Sequence, residues 1–203
     1  MQCDIEALAV LPWPAAEVRP AVSSIAKDDR IGVRAVLNSK FTPDDWYAVL
    51  RSPESQEDWQ APAFGVRRVD RLDPDHIYQQ MDLTMLFGAV HIREQLVVRI
   101  EWMATRGAIA NCWNAVDPAP WKAIVPTWDA NWETAVNGGW NVDSLPSGGS
   151  RVSYQVWADS QTLLPGIQKW AMSRTLPQLL ESFEAHVGSF TGGAHAGVGP
   201  PGQ

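Results

Sequence analysis

The chain has 203 residues and a formal net charge of -7, and 45% of its residues are hydrophobic. This length suits a single domain with a full core, and no break in composition divides the chain into two. The acidic balance, without a cluster of Lys and Arg, argues against nucleic acid as a partner. The longest uncharged apolar stretches fall short of the roughly 20 residues that cross a bilayer.

The two cysteines are Cys3, close to the first residue, and Cys112, in a predicted strand. They do not indicate a disulfide framework, so we expect residence in the cytoplasm. Cys112 is interpreted as a small buried residue in preference to a reactive thiol. Export is the alternative, if a signal segment was removed before residue 1.

The first part of the chain has a weak pattern followed by a clear one. Residues 1–30 are predicted to form an N-terminal extension, with a short helix from Glu17 to Lys27. From Ile31 the apolar residues alternate, which predicts a half-buried strand. Thr42 is then an N-cap candidate with Pro43 at the first helical position, so a short helix is expected to begin there.

Several strands follow without an intervening helix, from Phe64 to Val116. The clearest one runs from His76 to Met85, where apolar and polar residues alternate, which is typical of a sheet with one face on a core. After the irregular segment 117–134, two more strands are predicted around the turn 146–149. Antiparallel pairing is the natural arrangement for strands in this order.

A long helix is predicted to begin at Pro165 and to carry an apolar stripe as far as Val187. Residues 188–203 are rich in Gly and Pro and are predicted to be a disordered tail. The order of elements is α+β, with one long helix to bury the apolar face of the sheet. A sheet that curls around one helix is expected to enclose a cavity.

The order of motifs resembles the steroidogenic-acute-regulatory-protein-related lipid-transfer (START) domain, from about Ile31 to Val187. The opening strand and helix of START-like proteins are similar to the stretch from Val33 to Trp59. The end of the domain is similar to four segments, namely Gly138-Gly139-Trp140-Asn141-Val142, the run from Gly148 to Asp159, Leu164-Pro165, and Thr175-Leu176-Pro177-Gln178-Leu179-Leu180.

The resemblance implies a START-like domain over residues 31–187 with a helix-grip fold, a curved antiparallel sheet of about six or seven strands around the C-terminal helix. It also implies binding, sequestration or transfer of a lipid, sterol or other hydrophobic small molecule. The same superfamily includes polyketide cyclases and aromatases, so an enzyme using the same cavity is the alternative.

The residues themselves favour a carrier over an enzyme. The four His residues have no ligand spacing, and no serine lies in a nucleophile-elbow pattern, so neither a metal site nor a cofactor is predicted. Arg93 is interpreted first as an ion-paired residue at the start of a strand, and alternatively, together with His91, as an anchor for a polar head.

Alternation predicts which side chains line the pocket, and Asn111 is included because it shares parity with Trp113. Val98, Val156 and Leu176 are predicted to face the same interior. The predicted ligand contacts are Met81, Leu83, Met85, Arg93, Ile100, Trp102, Asn111, Trp113, Trp140, Tyr154, Trp170 and Arg174.

Two further expectations concern partners. Trp121 and Trp128 lie in the irregular segment and are predicted to be exposed, where indoles favour transient contact with a membrane surface. The protein is expected to be a monomer with a hydrophobic small molecule or lipid as its partner.

Overall fold

A computed structural model describes residues 3–9, 21–27, 30–57, 60–61, 64–85, 90–125, 128–129, 136–158 and 165–191. These ranges contain the α-helices α1 (Ile5–Ala9), α2 (Pro43–Leu50) and α3 (Pro165–Thr191), and a 3-10 turn at Pro53–Gln56. The strands are β1 (Ala21–Lys27), β2 (Arg30–Ser39), β3 (Gln60–Ala61), β4 (Phe64–Arg71), β5 (His76–Met85), β6 (Val90–Thr105), β7 (Ala108–Ala115), β8 (Val136–Ser144) and β9 (Ser150–Ala158).

The described strands form one antiparallel sheet in the order β1-β2-β9-β8-β7-β6-β5-β4-β3. Strands β4 to β9 are ordered as consecutive neighbours, while β2 pairs with β9 and so joins the two ends of the domain. α3 contacts β1 and β2 at one end of the sheet and β3 at the other. The predicted helix-grip architecture is therefore confirmed, a curved sheet closed by its C-terminal helix.

Two of the three predicted helices begin where the sequence indicates. Thr42 caps α2, because its hydroxyl oxygen accepts the Asp45 amide at 3.3 Å and the Asp45 carboxylate accepts the Thr42 amide at 2.8 Å. α3 begins at Pro165 and continues past Val187 to Thr191. None of the described helices is long and apolar enough to span a membrane.

The sheet has more strands than the six or seven predicted. Residues Ala21–Lys27 form β1, paired along its length with β2, where a helix was predicted over Glu17 to Lys27. Pairing with the exposed edge of β2 satisfies the backbone of this segment, and its β-branched residues suit a strand. The two-residue β3 at the opposite edge was also not predicted.

Different elements cover the two faces of the sheet. α2 and α3 pack on the concave face, where Trp46, Leu180 and Phe183 are fully buried. On the convex face, α1 packs through Leu8 beside Trp157. Tyr78 and Val97 are covered there by Val116, Trp121, Val125 and Trp128. The concave face is thus the inner face of the domain.

A disulfide joins Cys3 to Cys112 on the convex face, which corrects the prediction that the cysteines are unpaired. The Asn114 side chain accepts the amide of Cys3 at 2.5 Å and donates to its carbonyl oxygen at 3.1 Å. The Asn141 side chain donates to the carbonyl of Leu8 at 3.2 Å. The N-terminal segment is therefore held to the sheet covalently and by backbone recognition.

Candidate ligand-binding site

The inner face of the sheet carries the side chains that alternation predicts. Met81, Val98, Trp140 and Val156 are buried in the concave core together with Leu176 of α3. Partly buried side chains pack against this core, and the predicted ones among them are Ile100, Trp102, Trp113 and Tyr154.

Aromatic rings join the sheet to both helices on this face. The ring of Trp140 lies 4.4 Å from that of Tyr154, 5.0 Å from Phe183 of α3 and 5.7 Å from Trp46 of α2, measured between centroids. The Trp46 indole nitrogen donates to the Ser39 hydroxyl at 3.1 Å, which satisfies its polar atom. These contacts make one wall of the interior aromatic and rigid.

Gly138 allows Trp113 to lie across the neighbouring strand. A Cβ at position 138 would lie 2.2 Å from the Trp113 ring and 2.5 Å from the carbonyl oxygen of Gln155. Because glycine leaves this space open, the Trp113 indole crosses β8 and stacks on Tyr154 with centroids 6.4 Å apart and planes inclined by 24°.

Glu94 is an acidic residue on the inner face that sequence reasoning missed. It lies opposite Met81 in the register of β5 and β6, so the two side chains share a face. Burial raises the pKa of the Glu94 carboxyl from 4.5 to about 7. The sequence signal for this position is parity, because Glu94 lies two residues before Leu96 and four before Val98, both of which face inward.

Tyr154 reaches the same interior from β9. Burial raises the pKa of its phenol well above the usual value, and the negative charge of Glu94 raises it further. Neither the Glu94 carboxyl nor the Tyr154 hydroxyl has a hydrogen-bond partner among the described residues, and both residues are only partly buried, although burial raises the pKa of each group. These are the properties of polar groups that face an internal space.

Arg93 lies on the opposite face from Glu94, which favours its interpretation as an ion-paired residue over that as a ligand contact. Its side chain is 43% exposed, and its guanidinium contacts the Asp82 carboxylate at 3.2 Å. Asp82 also pairs with Arg67. Successive side chains of a strand point to opposite faces, so an inward Glu94 places Arg93 on the outer face. There it forms an ion pair, as the first interpretation of the sequence expects.

The two asparagines of β7 separate as parity predicts. Asn111 is buried on the inner face, and its side-chain oxygen accepts the amide of Trp140 at 3.0 Å. Asn114 lies on the convex face with Cys3. One acceptor of Asn111 is therefore used within the sheet.

Some predicted contacts lie outside the described side chains. The backbones of Leu83 and Met85 belong to β5, and those of Trp170 and Arg174 belong to α3. Their side chains, and that of His91, are not among those described. Their contacts with a ligand stay predictions.

Trp121 and Trp128 are not the exposed residues that were predicted. Trp121 packs against His76 with ring centroids 5.2 Å apart, and Trp128 packs against Tyr78 at 5.9 Å. Both are partly buried on the convex face. Among the described residues of this segment, Ile124 is the large apolar one that is exposed, with 60% of its surface accessible, and membrane contact stays a prediction.

Solved structures show where else this architecture occurs. Human STARD10 superposes with a TM-score of 0.65 at 11% identity, covering 92% of this chain and 78% of that one. Human StAR-related lipid transfer protein 5 superposes with a TM-score of 0.62 at 11% identity, covering 88% of this chain and 86% of that one. A fragment of the STAR-related lipid transfer protein from Xanthomonas axonopodis superposes with a TM-score of 0.59 at 18% identity, covering 86% of this chain and 96% of that one.

These similarities establish a shared fold over most of the chain. No protein-family model matches the sequence, and no curated protein sequence matches it.

Proposed function

Since the chain has the START-like helix-grip fold, we propose that it binds, sequesters or transfers a lipid, sterol or other hydrophobic small molecule inside the curved sheet. The observation that carries this proposal is the pair Glu94 and Tyr154, two polar groups on the inner face, of which Glu94 lies opposite Met81 and Tyr154 lies against the rings of Trp113 and Trp140. A fully packed core would leave buried polar groups paired and without accessible surface. An apolar pocket with a few polar groups is the usual form of a small-molecule site.

The proposed contacts are the inward side chains of the central strands. They combine a large apolar area with two hydrogen-bonding groups, which suits a ligand with one polar end. Lipid transfer is part of the names of two of the similar structures, which supports the same class of ligand. The proposed set is Met81, Glu94, Ile100, Trp102, Asn111, Trp113, Trp140 and Tyr154.

Native mass spectrometry of freshly purified protein, followed by extraction of bound molecules, tests this function. We expect a mass increment that disappears on denaturation and corresponds to an extracted hydrophobic compound. Trp113→Ala, on the inner face, is expected to reduce its occupancy severalfold. Trp121→Ala removes an indole from the convex face and serves as the matched control. Protein that carries nothing and also rejects a panel of lipids and sterols would contradict the proposal.

A catalytic role is the second candidate, because a carboxyl with a pKa of about 7 suits general acid-base chemistry near neutral pH. Tyr154 offers a hydroxyl facing the same interior. A cyclase- or aromatase-like enzyme would orient a reactive polyketide chain there. The test is turnover of a short poly-β-ketone thioester, with loss of the rate in Glu94→Gln. Tight binding of the thioester without turnover would contradict a catalytic role and agree with the carrier function.

We further propose that the protein matures in an oxidising compartment, which is the export alternative. The support is the disulfide between Cys3 and Cys112, since such bonds persist mainly outside reducing cytoplasm. Alkylation of the denatured protein from its native cells, with and without prior reduction, measures the thiols. We expect none to react before reduction and two afterwards, whereas two reactive thiols in the unreduced protein would assign it to a reducing compartment.

A further inference from the structure

Glu94 and Tyr154 enter the interior from different strands of the sheet. Glu94 projects from β6 opposite Met81, while Tyr154 projects from β9 opposite Trp140. The curvature of the sheet brings them close enough for the charge of Glu94 to act on the phenol. Trp113, stacked on Tyr154, makes the surface beside the phenol apolar.

The described surroundings supply no counter-ion for an ionised Glu94. Strands β2, β5, β7 and β8 have no titratable residue at their inward positions, and Arg71 of β4, which lies opposite Ile77, is paired with Glu54. From the helices, α2 contributes Tyr47, with Arg51 over its ring, and α3 contributes His186 between Phe183 and Phe190. Burial lowers the pKa of His186, so it favours the neutral form. A carboxylate without a partner in such surroundings is costly, whereas a neutral carboxylic acid is tolerated.

Building on the proposed ligand-binding function, we propose that Glu94 and Tyr154 select the uncharged hydroxyl or carbonyl end of a hydrophobic ligand, and that Glu94 holds it as a neutral carboxylic acid. A protonated carboxyl donates one hydrogen bond and accepts others, and the phenol adds a second donor. A hydroxyl or carbonyl complements this pair. A carboxylate head would meet the like charge of Glu94 once that group ionises.

Binding of such a ligand is therefore linked to proton uptake. Below pH 7, where free Glu94 is mostly protonated, affinity for an uncharged ligand is constant. Above it, each bound ligand must be accompanied by one proton, so affinity falls by up to about tenfold per pH unit. A cationic head group would show the opposite sign, because it would bind the ionised form.

Isothermal titration calorimetry with matched amphiphiles tests this selectivity. Dodecanol, dodecanoate and dodecyltrimethylammonium share one chain and differ in the charge of the head. At pH 8, in buffers of different ionisation enthalpy, we expect dodecanol to bind at least tenfold more tightly than dodecanoate and to take up nearly one proton. At pH 5.5 the proton uptake is expected to vanish.

Two variants of β6 provide the controls. Glu94→Gln keeps a neutral hydrogen-bonding group, so it is expected to bind dodecanol at pH 8 without proton uptake. Glu101→Gln makes the same change on the solvent-facing side, where Glu101 lies near Arg99, and is expected to behave as the wild type. Equal binding of dodecanol and dodecanoate by the wild type, or proton uptake retained in Glu94→Gln, would overturn the proposal.

Failure of the underlying function gives a different result. In that case none of the three amphiphiles binds and no hydrophobic compound co-purifies, and both proposals fall. Tight binding of dodecyltrimethylammonium that strengthens as the pH rises would retain the cavity and overturn only the uncharged-ligand inference.

Discussion

At the scale of single residues, neighbours in β6 have opposite environments. Arg93 is in solvent with Asp82, and Glu94 is in the interior with Tyr154. Alternation along a strand identifies the face of each residue once the strand is recognised, so Met81, Trp102 and Trp113 were predicted correctly as inward. Glu94 was missed because it precedes the apolar run that marks the strand, and a charged residue at such a position is usually assigned to the surface.

The raised pKa of Glu94 predicts how stability depends on pH. The folded state binds the proton more tightly than the unfolded chain, so its contribution is full below pH 4.5 and is lost as the pH rises through 7. The loss is about 3 kcal/mol at most by linkage. In urea unfolding at pH 5 and pH 8, we expect Glu94→Gln to lose less stability between the two conditions than the wild type does.

Glu101→Gln is the control for that series, since it removes a carboxylate from the exposed side of the same strand. It is expected to follow the pH dependence of the wild type. If Glu94→Gln also follows it, the carboxyl of Glu94 is not in the low-polarity environment described.

Gly138 provides a second test at this scale. Gly138→Ala forces a methyl group into the Trp113 ring and the carbonyl of Gln155, so we expect a loss of about 1 to 3 kcal/mol and a shift in tryptophan emission. Gly148→Ala is the comparison, because a Cβ there meets nothing within 4 Å and only the backbone, at φ +91°, is strained. A smaller loss with unchanged emission is expected for it, measured by urea unfolding and fluorescence.

At the scale of elements, predictions succeeded where local chemistry decides the structure. Pro43 after a capping threonine marks α2, and Pro165 marks α3. β1 was mispredicted because its conformation depends on pairing with β2, a tertiary interaction that its own sequence does not encode. β3 was likewise not predicted, because a strand of two residues has no alternation of its own and forms through pairing with β4.

The capping box of α2 makes a quantitative prediction. Thr42→Ala removes the side-chain acceptor of the Asp45 amide and is expected to cost about 1 kcal/mol in urea unfolding. Thr42→Ser keeps the hydroxyl and is expected to lie within a few tenths of a kcal/mol of the wild type. A comparable loss in both variants would show that the methyl group, not the cap, is responsible.

At the scale of the whole molecule, the order of elements predicted the architecture but not the contacts between residues far apart in sequence. Cys3 and Cys112 are 109 residues apart in sequence, and their approach follows only once α1 lies over β7 and β8. α3 likewise meets both ends of the sheet, through β1 and β2 on one side and β3 on the other. Such contacts arise from the closed shape and have no local signal.

Because α3 unites the two ends of the sheet, weakening it is expected to destabilise the whole domain. Leu180→Ala empties a fully buried position and is expected to cost about 2 to 5 kcal/mol in one cooperative transition, followed by urea unfolding with circular dichroism and fluorescence together. Glu181→Ala changes the exposed neighbour and is expected to have little effect. Separate transitions for the two signals would show that helix and sheet unfold independently.

The register of β6 has a consequence for how such a site diversifies. A single extra residue between Glu94 and Leu96 would form a bulge and reverse the facing of everything before it. Arg93 would then turn inward and Glu94 outward, exchanging an acid for a guanidinium inside the domain. One codon inserted at this point would therefore convert an interior suited to uncharged ends into one suited to anions, while the inward residues from Leu96 onward would keep their facing.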